Sequence, residues 1–172
     1  MSFRIRKLSA EETRAAAAVL GGVLKDCVDG GASVSFMADL TAEQAQGFWQ
    51  GVAASQQGDN RAVLVAEDED GIFGVVQVIP AGTPNQPHRG DVAKMLVHRR
   101  GRRRGAAQAL MREVETAARD LGLSLLVLDT VTGGDAERLY ARLGWTRVGE
   151  IPGYALMPDG APCATTYFYK AL

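Results

Sequence analysis

Residues 92–111, VAKMLVHRRGRRRGAAQALM, decide how this chain is read. They open as a β-branched and apolar run over 92–97 and pass through five arginines in the six positions 99–104. A segment carrying Ala106, Leu110, Val114, Ala117 and Leu121 follows. Spacings of four, four, three and four put these apolar residues on one stripe of a helix, with Arg112, Glu113, Glu115, Arg119 and Asp120 mainly elsewhere. The order is strand, basic turn, helix.

The first amides of a helix have no acceptor within it, and the peptide dipoles sum there to roughly half a positive charge. Such an end attracts anions. Gly105, Ala106 and Ala107 are small enough to let a phosphate reach those amides, and Arg102, Arg103 and Arg104 would add forked donors. An arginine run by itself also fits a solvated turn or a loose nucleic-acid patch. The flanking strand, the small residues and the helix favour a small polyanion, as does a formal net charge of −1 over the whole chain.

With 172 residues, 47% hydrophobic and 23% charged, the chain suits one globular domain over residues 1–172. Cys27 and Cys163 stand apart, with no C-x-x-C and no cysteine/histidine cluster at metal-ligand spacing, so reduced thiols and no metal are expected. The first residues lack a signal-peptide succession and no apolar run spans a bilayer, which leaves a cytoplasmic protein, with no membrane or nucleic-acid partner, as the expectation.

Outward from residues 92–111, the chain alternates strands and helices. A short strand precedes a capping box, Ser9 and Glu12, opening a helix to about Val28 that Gly30 and Gly31 end. GGASVSFMADL, 30–40, reads as a loop crossing a face, and Thr41 with Gln44 caps a second helix carrying Phe48 and Trp49. RAVLVAED and GIFGVVQVIP form two strands joined through Glu69-Asp70-Gly71. LSLLVLDTV reads as a strand covered on both faces. Asp135 is the expected N-cap of a short helix and Gly144 its C′ residue; 145–149 and 164–172 are closing strands around a loop at 152–160. The result is one mixed α/β (α+β) domain around a single sheet.

Arg102-x-x-Gly105-x-Ala107, between an apolar strand and a helix, resembles the acyl-CoA pyrophosphate loop R/Q-x-x-G-x-G/A of the GNAT acetyltransferases, and the element order is also that of the GNAT fold. The resemblance implies a mixed, mostly antiparallel sheet flanked by helices, with acetyl-CoA as co-substrate. It places Met95, Leu96 and Val97 against the pantetheine amides, and Arg102, Arg103, Arg104, Gly105, Ala106 and Ala107 around the pyrophosphate. Many members carry proline where this chain has Arg99, and asparagine where it has Gly133.

Tyr140, in L-Y-x-x-L-G-W, matches the family's general acid, although Ala136, Leu139, Tyr140 and Leu143 also form a stripe that packing alone would explain. Three segments, GGASVSFMADL, VLDT and VGEIPGYALMPDG, are similar to the branch that acetylates a β-lactam-containing amino-acid toxin. That branch implies Asp129, eleven positions before Tyr140, as the base or the ligand of the substrate ammonium; a turn or capping carboxylate is the alternative. Phe36, Met37, Asp39 and Tyr154 are the implied substrate contacts. The expectation is an N-acetyltransferase for a small amino-acid-like amine, monomeric or homodimeric. A non-catalytic acyl-CoA sensor on the same fold is the second reading.

Overall fold

The computed structural model describes residues 2–58 and 60–172. Seven strands, β1 (Arg4–Leu8), β2 (Ala62–Asp68), β3 (Gly71–Pro80), β4 (Arg89–Val97), β5 (Leu125–Val131), β6 (Thr146–Leu156) and β7 (Pro162–Ala171), form one sheet in the order β1-β2-β3-β4-β5-β7-β6. Only β4 and β5 run parallel; the other neighbours are antiparallel. This is the expected mixed, mostly antiparallel sheet.

Period-two alternation builds two cores. Val63 and Val65 of β2 face α2 (Ala17–Asp29) and α3 (Ala42–Ser55), packing with Leu20, Leu24 and Trp49. Leu64 and Ala66 face the other way, towards Leu110, Met111 and Val114 of α4 (Ala106–Asp120). Both expected capping boxes form: Glu12 N–H donates to Ser9 Oγ at 3.1 Å with Ser9 N–H to Glu12 Oε2 at 2.8 Å, and Thr41 and Gln44 exchange the same pair at 3.1 and 2.9 Å. Among the described residues no helix is long and apolar enough to cross a membrane.

Four local expectations are corrected. The first helix divides at Ala16 into α1 (Ala10–Ala15) and α2. β5 begins at Leu125 and alternates between buried Leu126 and Leu128 and half-buried Leu125 and Val127. Gly134, not Asp135, is the N-cap of α5 (Asp135–Arg142), which puts the Asp135 carboxylate in the favourable first turn. The expected loop at 152–160 is largely strand: β6 runs to Leu156, with a register shift between Ile151 and Ala155 where turn-like Pro152 and Gly153 are accommodated.

Parallel pairing of β4 with β5 joins Arg89, Gly90 and Asp91 to Leu125, Leu126 and Val127, and goes no further. Past Asp91 the two strands part. β4 also changes register against β3, from Ala93 opposite Gln77 to Leu96 opposite Val75, and the extra residue includes Lys94 at φ +52°. Such a bulge bends its strand and sharpens its twist.

The basic turn after β4 is clamped from two sides. Asp26 of α2, nearly buried, accepts from the Arg99 backbone N–H at 2.8 Å and from the Arg99 guanidinium, with His98 Nε2 at 3.6 Å. Asp68 of β2 binds Arg100 at 2.9 Å and Arg104 at 2.8 Å, and both guanidinium groups lie over the Phe73 ring at 5.0 and 4.8 Å. Gly101 seats the turn on that ring: a Cβ there would stand 2.1 Å from Phe73 Cδ2.

Gly101→Ala should therefore force the turn off Phe73. Overpacking costs about 1–3 kcal/mol, and in a chain of this size each kcal/mol moves the melting temperature by about 2–4 °C; an unchanged melting temperature would contradict the close approach. Burial opposes ionisation of Asp26, but hydrogen bonds from the Arg99 backbone and guanidinium outweigh it and hold the carboxyl below its usual value. Because the folded value is depressed, the contribution is complete above the unfolded aspartate value of about 3.9 and is lost as pH falls through the lower folded one. Asp26→Asn should lower stability by about 1–3 kcal/mol at neutral pH, and the gap from wild type should narrow in acid. A constant gap down to pH 3 would count against this.

Candidate active site

The basic turn hands β4 to α4 through Gly105, which takes the left-handed conformation at φ +80° as N-cap and offers no capping side chain. A glycine there adopts positive φ without the steric penalty of a Cβ. The first amides of α4 are thus left without a side-chain acceptor, behind buried Ala106 and half-buried Ala107.

The arginines divide by partner. Arg104, expected at the phosphates, is turned to Asp68 and Phe73. Arg102 donates from Nε to Val97 O at 3.4 Å, with Nη2 4.0 Å from Asp26. Arg103, exposed and at φ +60°, has no ion-pair partner among the described residues. The acids that hold the others come from α2 and β2, 73 and 32 positions away, which the local pattern could not reveal.

Met95, Leu96 and Val97 border the gap. On one side Leu96 and Val97 pair with Val75 and Gly74 of β3; on the other, no strand of the sheet follows. Val97 O also receives Cys27 Sγ–H at 3.6 Å, and burial pushes the Cys27 thiol up. Cys27 and Cys163 are both free.

Beside the C-terminal end of β5 lies a cavity of about 420 Å³, whose wall includes Ser33, Phe36, Met37, Asp129, Tyr154 and Thr165. Four sequence-derived candidates thus share one cavity. Asp39 does not join them: it is exposed and outside the lining, its chain turning away before Leu40 enters the core. Ser33 Oγ–H to Leu156 O at 2.7 Å and Ala38 N–H to Pro158 O at 3.0 Å tie this loop to the β6–β7 hairpin. The distorted part of β6 brings Tyr154 Oη within 2.8 Å of Tyr167 Oη on β7.

Asp129 sits within β5, opposite Tyr167 in the ladder, so it caps no helix. Its Oδ2 lies 2.7 Å from Thr165 Oγ1, which is also 2.9 Å from Thr130 O. The hydroxyl has one proton to give, and the charged acceptor is the stronger partner. Tyr140, only 5% exposed, packs its ring 6.1 Å from Trp145 and 6.0 Å from Phe168. Burial pushes its hydroxyl up, and the charge of Asp129 adds to the effect. Packing against these rings is thus a property of this side chain, and the charge of Asp129 acts on it as well. The hydrogen bond with Tyr154 is the first cause raising Tyr167, to about 12, followed by burial and by Asp129.

Three residues in or next to the cavity wall escape sequence reasoning. Thr165 and Tyr167 lie in an ordinary alternating strand and gain meaning only from their register with β5. Lys94 has a faint signal as the one charged residue inside the apolar run 92–97. It donates to Ser35 Oγ at 3.0 Å and lies over the rings of Phe36 and Phe48.

Residues 59–147 match the acetyltransferase (GNAT) domain family. Human N-acetyltransferase 8 is 36% identical over 88 residues, 50% of this chain, and the chain spans only 39% of that relative's length. Among solved structures, yncA of Salmonella typhimurium with its cofactor acetyl-CoA superposes at TM-score 0.80 and 17% identity over 100% of this chain and 95% of that one. A GCN5-related N-acetyltransferase of Kribbella flavida gives 0.80 at 21% over 99% and 98%. A ribosomal-protein-alanine N-acetyltransferase of Brucella melitensis gives 0.77 at 19% over 98% and 99%. At such identities these structures speak for the fold alone. The family match, however, covers more than half of the sequence and takes in both strands that border the gap, the uncapped end of α4 and the helix of Tyr140. This chain belongs to the GNAT acetyltransferase family.

Proposed function

We propose that the protein transfers an acetyl group from acetyl-CoA to the amine of a small amino-acid-like substrate. The observation that carries the reading is the gap between β4 and β5, together with the uncapped helix end that follows β4 and the cavity that Asp129 of β5 lines. The residues fit an extended, polyanionic thioester. The amides of Gly105 and of the start of α4, which no side chain caps, together with exposed Arg103 suit the pyrophosphate. Met95, Leu96 and Val97 offer backbone groups to the pantetheine arm, and Arg102 bridges the two regions through Val97 O.

Acetyl-CoA bound there supplies an acyl carbon and a thiolate leaving group. Asp129, held by Thr165, positions the substrate ammonium and takes up its proton directly or through water, which frees the nitrogen lone pair. The nitrogen–carbon bond forms as the carbon–sulfur bond breaks, and the second proton that the nitrogen sheds on becoming an amide passes to water. Tyr140, kept protonated by burial and by the charge of Asp129, donates to the departing sulfur. Phe36, Met37 and Tyr154 shape the pocket around the acceptor. A β-lactam-containing amino-acid toxin is the candidate substrate carried from the sequence resemblance, and with it a role in antibiotic resistance in the cytoplasm.

The test is thiol release from acetyl-CoA with a panel of amino-acid-like amines and toxins, the acetylated product identified by mass. Release with a subset of amines is expected; acetyl-CoA binding without turnover on any would place the sensor reading ahead. Tyr140→Phe should lower kcat by about 10²- to 10⁴-fold with little change in the melting temperature, and a wild-type rate would reject the acid assignment. Asp129→Asn should likewise depress kcat/KM while the protein remains folded. In an absorbance titration, Tyr140 should contribute no phenolate signal in the ordinary tyrosine range of about pH 10. A difference between wild type and Tyr140→Phe that titrates there would contradict its burial.

A further inference from the structure

Lys94 lies in the bulge of β4 with φ +52°, a conformation that costs a non-glycine residue on the order of 1 kcal/mol. The side chain reaches Phe48 of α3 and the loop that precedes that helix. There its ammonium donates to Ser35 Oγ at 3.0 Å and lies 5.8 and 5.6 Å from the ring centres of Phe36 and Phe48. Ser35 is itself in the left-handed region, at φ +78°. An ammonium has three N–H donors, and one hydroxyl serves only one of them. No carboxylate of the described residues lies within 4.0 Å of Nζ. Burial accordingly draws the lysine below its usual value, while the charge of Asp129 acts in the opposite sense.

A half-buried cation held by a hydroxyl and two ring faces, without an anion in contact, is short of a partner. Ser35 and Phe36, which touch it, both line the 420 Å³ cavity, and Asp129 belongs to the same wall from across the gap. The cavity therefore has a negative group in its β5 wall, and a positive one, Lys94, stands behind Ser35 and Phe36 on the β4 side. A simple amine satisfies only the first. An α-amino acid satisfies both, with its ammonium at Asp129 and its carboxylate at Lys94.

We propose that Lys94 is the carboxylate-binding residue of this pocket and selects α-amino acids over simple amines. The inference rests on the acetyltransferase reading of the same pocket and adds the group that reads the acceptor. Ser35 aims the ammonium, the two rings exclude water around it, and the bulge gives the side chain its direction.

The test uses matched probes: L-leucine with isopentylamine, L-threonine with 1-aminopropan-2-ol, and L-lysine with cadaverine, each assayed for thiol release from acetyl-CoA. The ratio of variant to wild-type kcat/KM for each probe cancels that probe's own basicity. Lys94→Gln should lower kcat/KM for the amino acids about 10- to 100-fold, as expected for loss of a charged hydrogen bond, mainly through KM. It should leave the decarboxylated amines within about twofold, and Lys94→Arg should restore part of the preference. Equal losses for both members of each pair, or a wild-type enzyme without carboxylate preference, would overturn the proposal. Absence of thiol release with every probe would instead be a failure of the acetyltransferase reading. Calorimetry then decides for Lys94: L-lysine binding more tightly than cadaverine to the wild-type protein with CoA, and losing that advantage in Lys94→Gln, supports the proposal, and no such difference overturns it.

Discussion

A parallel ladder that stops after Arg89, Gly90 and Asp91 leaves β4 and β5 each with a free edge in the middle of a seven-stranded sheet, and the rest of the molecule is arranged around that interruption. Backbone N–H and C=O groups inside a protein need partners, and an open strand edge is a template for an extended ligand that carries amides. The bulge at Lys94 bends β4, and the ladder of β5 with β7 carries β5 on through Val131. One strand is tied to the β1–β3 side and the other to the β6–β7 side. The gap is thus fixed by pairing elsewhere in the sheet.

The same logic explains the basic turn. Five arginines within six positions would repel one another if left in water, yet the turn has to place the start of α4 beside the mouth of the gap. Two carboxylates from distant elements resolve this. Asp26 satisfies the backbone N–H of Arg99, a donor that a proline at that position would lack, so this departure from the usual family pattern comes with its own acceptor. Asp68 takes Arg100 and Arg104, and Phe73 underlies both. Most of the arginine run is therefore structural, and the anion-attracting character rests on the amides of α4 and on Arg103.

Legibility in the sequence followed the range of the interaction. The capping boxes at Ser9 and Thr41, the strand-turn-helix at 92–111 and the left-handed glycine after α5 depend on neighbours within a few residues, and they form as read. The mixed sheet followed from the order of the elements. Partner choice did not: no local signal tells that Arg104 meets Asp68, that Thr165 steadies Asp129, or that β6 extends through Pro152 and Gly153 by means of a register shift. The family resemblance implies Asp39 as a substrate contact together with Phe36 and Met37, but their loop places only the latter two against the cavity. Lys94 reads as an imperfection in an apolar strand until the bulge gives it a direction.

Backbone hydrogen exchange, followed with and without acetyl-CoA, reads the edges of the gap themselves. Slower exchange is expected at residues 95–97 and 103–108, together with the facing edge of β5, and little change at the distant β1 edge. Acetyl-CoA binding that leaves those amides unprotected, or protects another surface, would contradict this.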